Sequence, residues 1–117
     1  MKVFFDQGTP APLRRCLVGH EVETAHERGW SPLKNGALTA ATEQAGFDVF
    51  VTTDQNLRYQ QNLAGRNVAI VVILTTSWPR IQADLPPVVQ AIASARPGAY
   101  LEVEVAAPRT VPANDPA

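Results

Sequence analysis

The apolar residues of this chain fall into short blocks whose period changes along its length. Val3-Phe4-Phe5 and Val49-Phe50-Val51-Thr52 are unbroken β-branched or aromatic runs, and Val68-Ala69-Ile70-Val71-Val72-Ile73-Leu74 is a longer one. Runs without alternation predict strands buried on both faces, as in a parallel sheet sandwiched between helices. The strands are expected at residues 2–6, 48–52 and 68–75, with the last, most apolar run central in the sheet. Glu21-Val22-Glu23-Thr24-Ala25 alternates, which predicts a strand with one wet face near the sheet edge. Ala99–Val105 alternates as a final strand after the Pro97-Gly98 turn.

Helical segments separate these strands. Thr9-Pro10 predicts an N-cap and a first-turn proline for a helix that runs to about Val18 and ends at Gly19. A loop through Gly29-Trp30-Ser31-Pro32 leads to a helix from about Gly36 to Ala45, capped by Asn35 and stopped by Gly46. A short polar helix is expected at 56–63, and Trp78-Pro79 opens another that Pro86-Pro87 interrupts before it resumes over Val88–Arg96. Strand and helix in alternation predict a three-layer α/β domain: a mainly parallel sheet of about five strands with helices on both faces. That domain is expected to span residues 1–106, and residues 107–117, rich in proline and small side chains, are expected to be a disordered tail.

Composition narrows the functional classes. A chain of 117 residues builds one domain with an adequate core, and 45% hydrophobic with 18% charged residues is ordinary for a soluble globular protein. With a net charge of −1 and a pI of about 6.1, no global basic field recruits nucleic acid, so any such contact must come from a local patch. Cys16 is the only cysteine, which excludes an intramolecular disulfide and a multi-cysteine zinc site. Its setting in Leu13-Arg14-Arg15-Cys16-Leu17 reads as a core-facing thiol. No signal-like segment and no apolar stretch of membrane-spanning length is present, so no membrane association and a cytoplasmic location are expected.

Two acids carry the candidate chemistry. Asp6 follows the first apolar run and Asp54 follows the third strand. In an open α/β sheet the carboxyl ends of the strands form the crevice where ligands bind, and convergent carboxylates there hold a hard cation such as Mg²⁺ or Mn²⁺. Helix capping accounts for the same two aspartates. Gln7-Gly8-Thr9 offers a tight turn and free N–H groups for a phosphate, or simply a structural turn. Thr52-Thr53-Asp54-Gln55-Asn56-Leu57 is the densest polar cluster at a strand end. Arg58, Tyr59 and neighbouring amides on the following helix suit contacts to phosphate and stacked bases, although a solvated helix face has the same composition. His20 at a turn and His26 in a loop have no nucleophile beside them, which argues against a hydrolytic triad. Trp30 and Trp78 either wall a pocket or seal a core.

At Lys2-Val3-Phe4-Phe5-Asp6-Gln7-Gly8-Thr9-Pro10 and Val49-Phe50-Val51-Thr52-Thr53-Asp54-Gln55-Asn56-Leu57 the chain resembles the small PIN-like proteins. These form a short branch of the PIN-domain superfamily described as nucleases of toxin–antitoxin systems. Glu21-Val22-Glu23-Thr24-Ala25 with Gly29-Trp30 matches the family's second strand and following glycine, so the resemblance runs from residue 2 to about Leu74. It implies a PIN-like fold and a Mg- or Mn-dependent ribonuclease in which several acids hold divalent ions that activate water. Asp6 matches the first acid and Asp54 the acid after the third strand; both are implied as catalytic and metal-binding. Asn56 stands where the second acid of that motif would be. Asn35 falls where the family shows Asp-Glu-Glu, with Gly36 and Ala37 filling the rest and Glu43 the only nearby acid.

Those departures leave a charge of −2 where four acids would give −4, which weakens metal binding and water activation. The implied substrate contacts are Gly8, Thr9, Thr53, Arg58 and Tyr59. The expected function is a metal-dependent ribonuclease of toxin–antitoxin type with RNA as substrate and an antitoxin-like partner. The alternative is a non-catalytic PIN-like protein that pairs with a partner protein or, as a homodimer, with itself. A phosphate- or nucleotide-binding module built on Gly8-Thr9 and the Asn56 helix is a third.

Overall fold

The computed structural model of the chain describes residues 1–33, 35–55 and 67–105, with residues 35 and 36 as backbone only. The predicted helix at 56–63, the tail, and the side chains of Asn35, Asn56, Arg58 and Tyr59 lie outside that description.

The described strands are β1 (Lys2–Phe5), β2 (Glu21–Thr24), β3 (Val49–Thr52), β4 (Ala69–Ile73) and β5 (Tyr100–Val103). They form one five-stranded sheet in the order β2-β1-β3-β4-β5, and every neighbouring pair is parallel. Side chains alternate across the sheet because successive Cβ atoms point to opposite faces. Val3, Phe5, Val49, Val51, Ala69, Val71 and Ile73 join one buried cluster, with Leu13, Leu17, Ile81, Val88 and Ile92. Phe4, Phe50, Ile70 and Val72 join the other, with Ala25, Leu38 and Phe47. Unbroken apolar runs therefore mark strands with two buried faces, and the fold is the three-layer α/β arrangement expected.

The first face is covered by a 3₁₀ helix (Ala11–Cys16) and by α3 (Trp78–Ala83) and α4 (Leu85–Ser94); the second by α1 (Ala25–Arg28) and α2 (Asn35–Gln44). Several elements differ from expectation. The helix predicted from Thr9 to Val18 is a 3₁₀ helix of six residues, with Pro10 at its N-cap and no side-chain cap. Prolines at 10 and 12 remove backbone donors from its start, and Thr9 spends its hydroxyl elsewhere. Strand β2 ends at Thr24, because Thr24 and Glu27 form a capping box that starts α1 at Ala25. His26 therefore sits on α1, not in a loop. Pro86-Pro87 do not interrupt a helix. They occupy the first turn of α4, where their missing N–H groups cost nothing, and the break falls at Asp84.

The most apolar strand, β4, is interior but not central; β3 holds the middle place. Burial on both faces is shared by all interior strands, so hydropathy does not rank them. Strand β2 lies at the edge as expected. Along its outer margin Arg14 Nη2 donates to the Val22 carbonyl at 2.6 Å, and Arg14 also pairs with Glu27 at 2.9 Å. Cys16 and Trp78 pack partly buried against the first core cluster, and Trp30 against the second. No described helix is long and apolar enough to cross a membrane.

Candidate functional site

The order β2-β1-β3-β4-β5 reverses direction between β1 and β3, so the carboxyl ends of these neighbours form a topological switch point, where open α/β sheets bind ligands. Asp6 follows β1 directly, and its N–H donates to the Val51 carbonyl of β3 at 3.2 Å. Asp54 lies two residues beyond the end of β3. Adjacent parallel strands thus bring the two sequence-derived acids to one end of the sheet.

Hydroxyl groups organise that end. Thr52 Oγ1 donates to Asp6 Oδ2, and the Asp54 N–H donates to the same Thr52 oxygen at 3.0 Å. One buried hydroxyl therefore links the Asp6 carboxylate to the Asp54 backbone. Thr9 Oγ1 lies 2.8 Å from Asp6 Oδ1 and 3.0 Å from the Val51 carbonyl. Thr53 Oγ1 donates to the Gly8 carbonyl at 3.1 Å, pinning the loop after β1 onto the loop after β3. Gly8 is required by this close approach. A Cβ there would stand 2.7 Å from Thr53 Oγ1, inside van der Waals contact.

Thr9 and Thr53, read from the sequence as substrate contacts, are buried and commit their hydroxyls to this frame. Thr9 is not the N-cap it was expected to be. Both act on the site by holding Asp6 and Gly8 in place. Burial pushes the Asp6 carboxyl above its ordinary 3.8, against the opposing pull of the hydrogen bonds from Thr52, Thr9 and the Gly8 and Thr9 backbone. The carboxylate is thus both sheltered and well supplied with donors.

Two cavities meet at Asp6. One, of about 170 Å³, has Asp6, Gln7 and Gly8 on one side and Trp30, Leu33 and Leu38 on the other. The second, of about 410 Å³, extends past Thr9 toward Arg14, His26 and Glu27. A further cavity among the described residues, of about 420 Å³, lies elsewhere, lined by Met1, Glu43, Asp48 and Asn67. It contains none of the switch-point residues, and position relative to the strand ends outweighs size in choosing the candidate site.

The oxygen-only donors at the switch point suit a hard cation in kind. Charge is the shortfall. Among the described residues no group of three or more His, Cys, Asp or Glu side chains gathers in a way that would hold a metal ion. Ala37 is exposed near the start of α2, where the family resemblance implies an acid, and Glu43 lines the other cavity. Sequence reasoning missed Thr52 as the bridging group, although it lies in the polar cluster that the strand end flagged, and missed Gln7 as a residue shared by both cavities. It also missed α1, whose Thr24-x-x-Glu27 signature was legible. No family model matches the chain, and no curated protein or solved structure matches it significantly.

Proposed function

We propose that this protein is a PIN-like ribonuclease of the toxin–antitoxin kind, acting at the β1–β3 switch point with a metal site of reduced charge. The supporting observation is the Thr52 hydroxyl that joins the Asp6 carboxylate to the Asp54 backbone at the ends of neighbouring strands. Asp6 and Asp54 would hold Mg²⁺ or Mn²⁺, with Asn56 and Asn35 as uncharged donors. Such an ion supplies Lewis-acid polarisation of a phosphate and lowers the pKa of bound water. The chain itself supplies position. Thr52 and Thr9 fix both Asp6 oxygens, so little reorganisation accompanies binding. Gly8 keeps the loop free of a side chain beside the carboxylate. Burial raises the proton affinity of Asp6, so activity through an ionised Asp6 falls as pH drops toward the carboxylate range.

The test is cleavage of single-stranded RNA with Mg²⁺ or Mn²⁺ by the unmodified chain and by Asp6→Asn. Cleavage by the former and none by the latter is expected; metal-dependent cleavage that survives Asp6→Asn defeats the assignment. Asn56→Asp is expected to tighten Mn²⁺ binding, measured by calorimetry, by about tenfold, the scale of one added charge at a partly exposed site. An unchanged affinity would remove Asn56 from the site.

One observation favours a second reading. Both Asp6 oxygens already accept hydroxyl hydrogen bonds, and among the described residues no group of three or more His, Cys, Asp or Glu side chains gathers around them. A satisfied carboxylate of this kind suits a frame residue in a protein that binds an antitoxin-like partner, or a second copy of itself, without cutting RNA. Absence of cleavage across several RNAs with both metals moves the conclusion to this alternative.

A further inference from the structure

We infer that the smaller cavity beside Asp6 is a nucleobase pocket, with Trp30 as its stacking wall and Gln7 and Ser31 as the polar edge that reads the base. This rests on the RNA reading of the site and adds to it a substrate geometry: one unstacked base of a single strand, seated next to the reacting phosphate. Three observations carry it. The cavity of about 170 Å³ shares Asp6, Gln7 and Ala25 with the larger one, so the two form arms that meet at the carboxylate. Its lining joins the apolar and aromatic side chains of Trp30, Leu33 and Leu38 to the hydrogen-bonding groups of Gln7 and Ser31. Trp30 is half-buried and fixed: its ring packs against Phe4 at 5.5 Å and Phe47 at 6.2 Å, with the Arg28 guanidinium 5.2 Å from its centre.

A fixed aromatic wall with a few polar groups opposite is the usual means of holding a splayed-out base, since every base has a π-face and a hydrogen-bonding edge. The other arm runs past Thr9 to His26 and the ion-paired Arg14 and Glu27, and its larger volume leaves room for the sugar–phosphate backbone leading away from Asp6. A duplex offers no free base face, so the geometry selects single strands.

The experiment measures binding of a labelled single-stranded hexanucleotide by fluorescence anisotropy in EDTA, where no cleavage occurs. Trp30→Leu, which keeps apolar volume but has no π-face, is expected to weaken binding by about tenfold, the scale of one lost base–aromatic stack. Trp30→Phe is expected to restore most of the affinity, and Gln7→Ala, at an exposed position, to change the ranking of A, C, G and U hexamers. Equal affinity of Trp30→Leu and the unmodified chain, binding of duplex as tight as single strand, or no binding at all overturns the pocket. Cleavage assays with Mn²⁺ separate the two conclusions. Trp30-dependent binding without cleavage defeats the nuclease reading alone, and cleavage indifferent to Trp30 and Gln7 defeats the pocket alone.

Discussion

Asp6 and Asp54 follow apolar runs of the same kind on neighbouring strands, yet they stand in different settings. Asp6 comes immediately after β1, half-buried, with a hydroxyl on each carboxylate oxygen. Asp54 comes two residues after β3, with its N–H turned back to Thr52. The difference lies in the residues between strand and acid. Nothing separates Phe5 from Asp6, so the pleat carries its carboxylate to the same face as Phe4 and Phe50, against Thr52. Thr53 separates Asp54 from its strand and ties the chain to Gly8. A matching motif thus yields a shared location reached in two ways, by the carboxylate of Asp6 and by the backbone N–H of Asp54, and Thr52 is the hinge of the comparison.

Removing that hinge has the largest expected effect. Thr52→Val keeps the shape and deletes the hydroxyl, leaving an Asp6 oxygen and the Asp54 N–H without their partner. The expected loss is about 3 kcal/mol, because a charged group is among those deprived. At roughly 4–8 °C per kcal/mol, thermal melting reads it directly. The deficit should shrink at low pH, where Asp6 is protonated. Equal melting at neutral pH would show that Thr52 does not join the two strand ends.

Gly8→Ala is next. Its Cβ would meet Thr53 Oγ1 at 2.7 Å, and relieving that overlap is expected to cost about 2 kcal/mol. Thr53→Ala in the same chain removes the obstructing oxygen, so the double variant should melt above the sum of the single losses. Strict additivity would mean that the two loops do not touch.

The smallest effect has the opposite sign. The carboxyl of Asp6 is raised above 3.8 in the folded chain, so between 3.8 and the raised value the native state holds the proton that the unfolded state has lost. Stability from this group is present below 3.8 and declines as pH rises through that window. Asp6→Asn removes the charge, so it should melt slightly above the unmodified chain at pH 7, with the advantage vanishing below 3.8. Asp54→Asn should leave that pH dependence in place. Should both variants shift the profile alike, the two aspartates are equivalent after all.

The layers of the fold were legible because burial on both faces leaves an unambiguous mark: β-branched and aromatic runs with no polar interruption at β1, β3 and β4. Position within the sheet was not, since β3 and β4 bury their side chains alike and only pairing distinguishes them. The switch-point location of Asp6 was legible from the strand that precedes it. The partnership with Thr52 was not, because it joins residues 46 positions apart and depends on the register of β1 against β3. Threonine also misled: Thr9 looked like a helix cap, whereas a buried hydroxyl next to a desolvated carboxylate is drawn inward to it.

Arg14 has a consequence for how this molecule meets others of its kind. The outer side of β2 presents a Val22 carbonyl and a Thr24 N–H, the groups that an incoming strand would use to lengthen the sheet. Arg14 occupies the first at 2.6 Å and Glu27 the second at 3.0 Å, while the two guards are bonded to each other. Growth of the sheet on that flank has to dismantle an ion pair and a helix cap together. Strand addition at that margin is opposed by a lock whose ionic part loosens as salt rises.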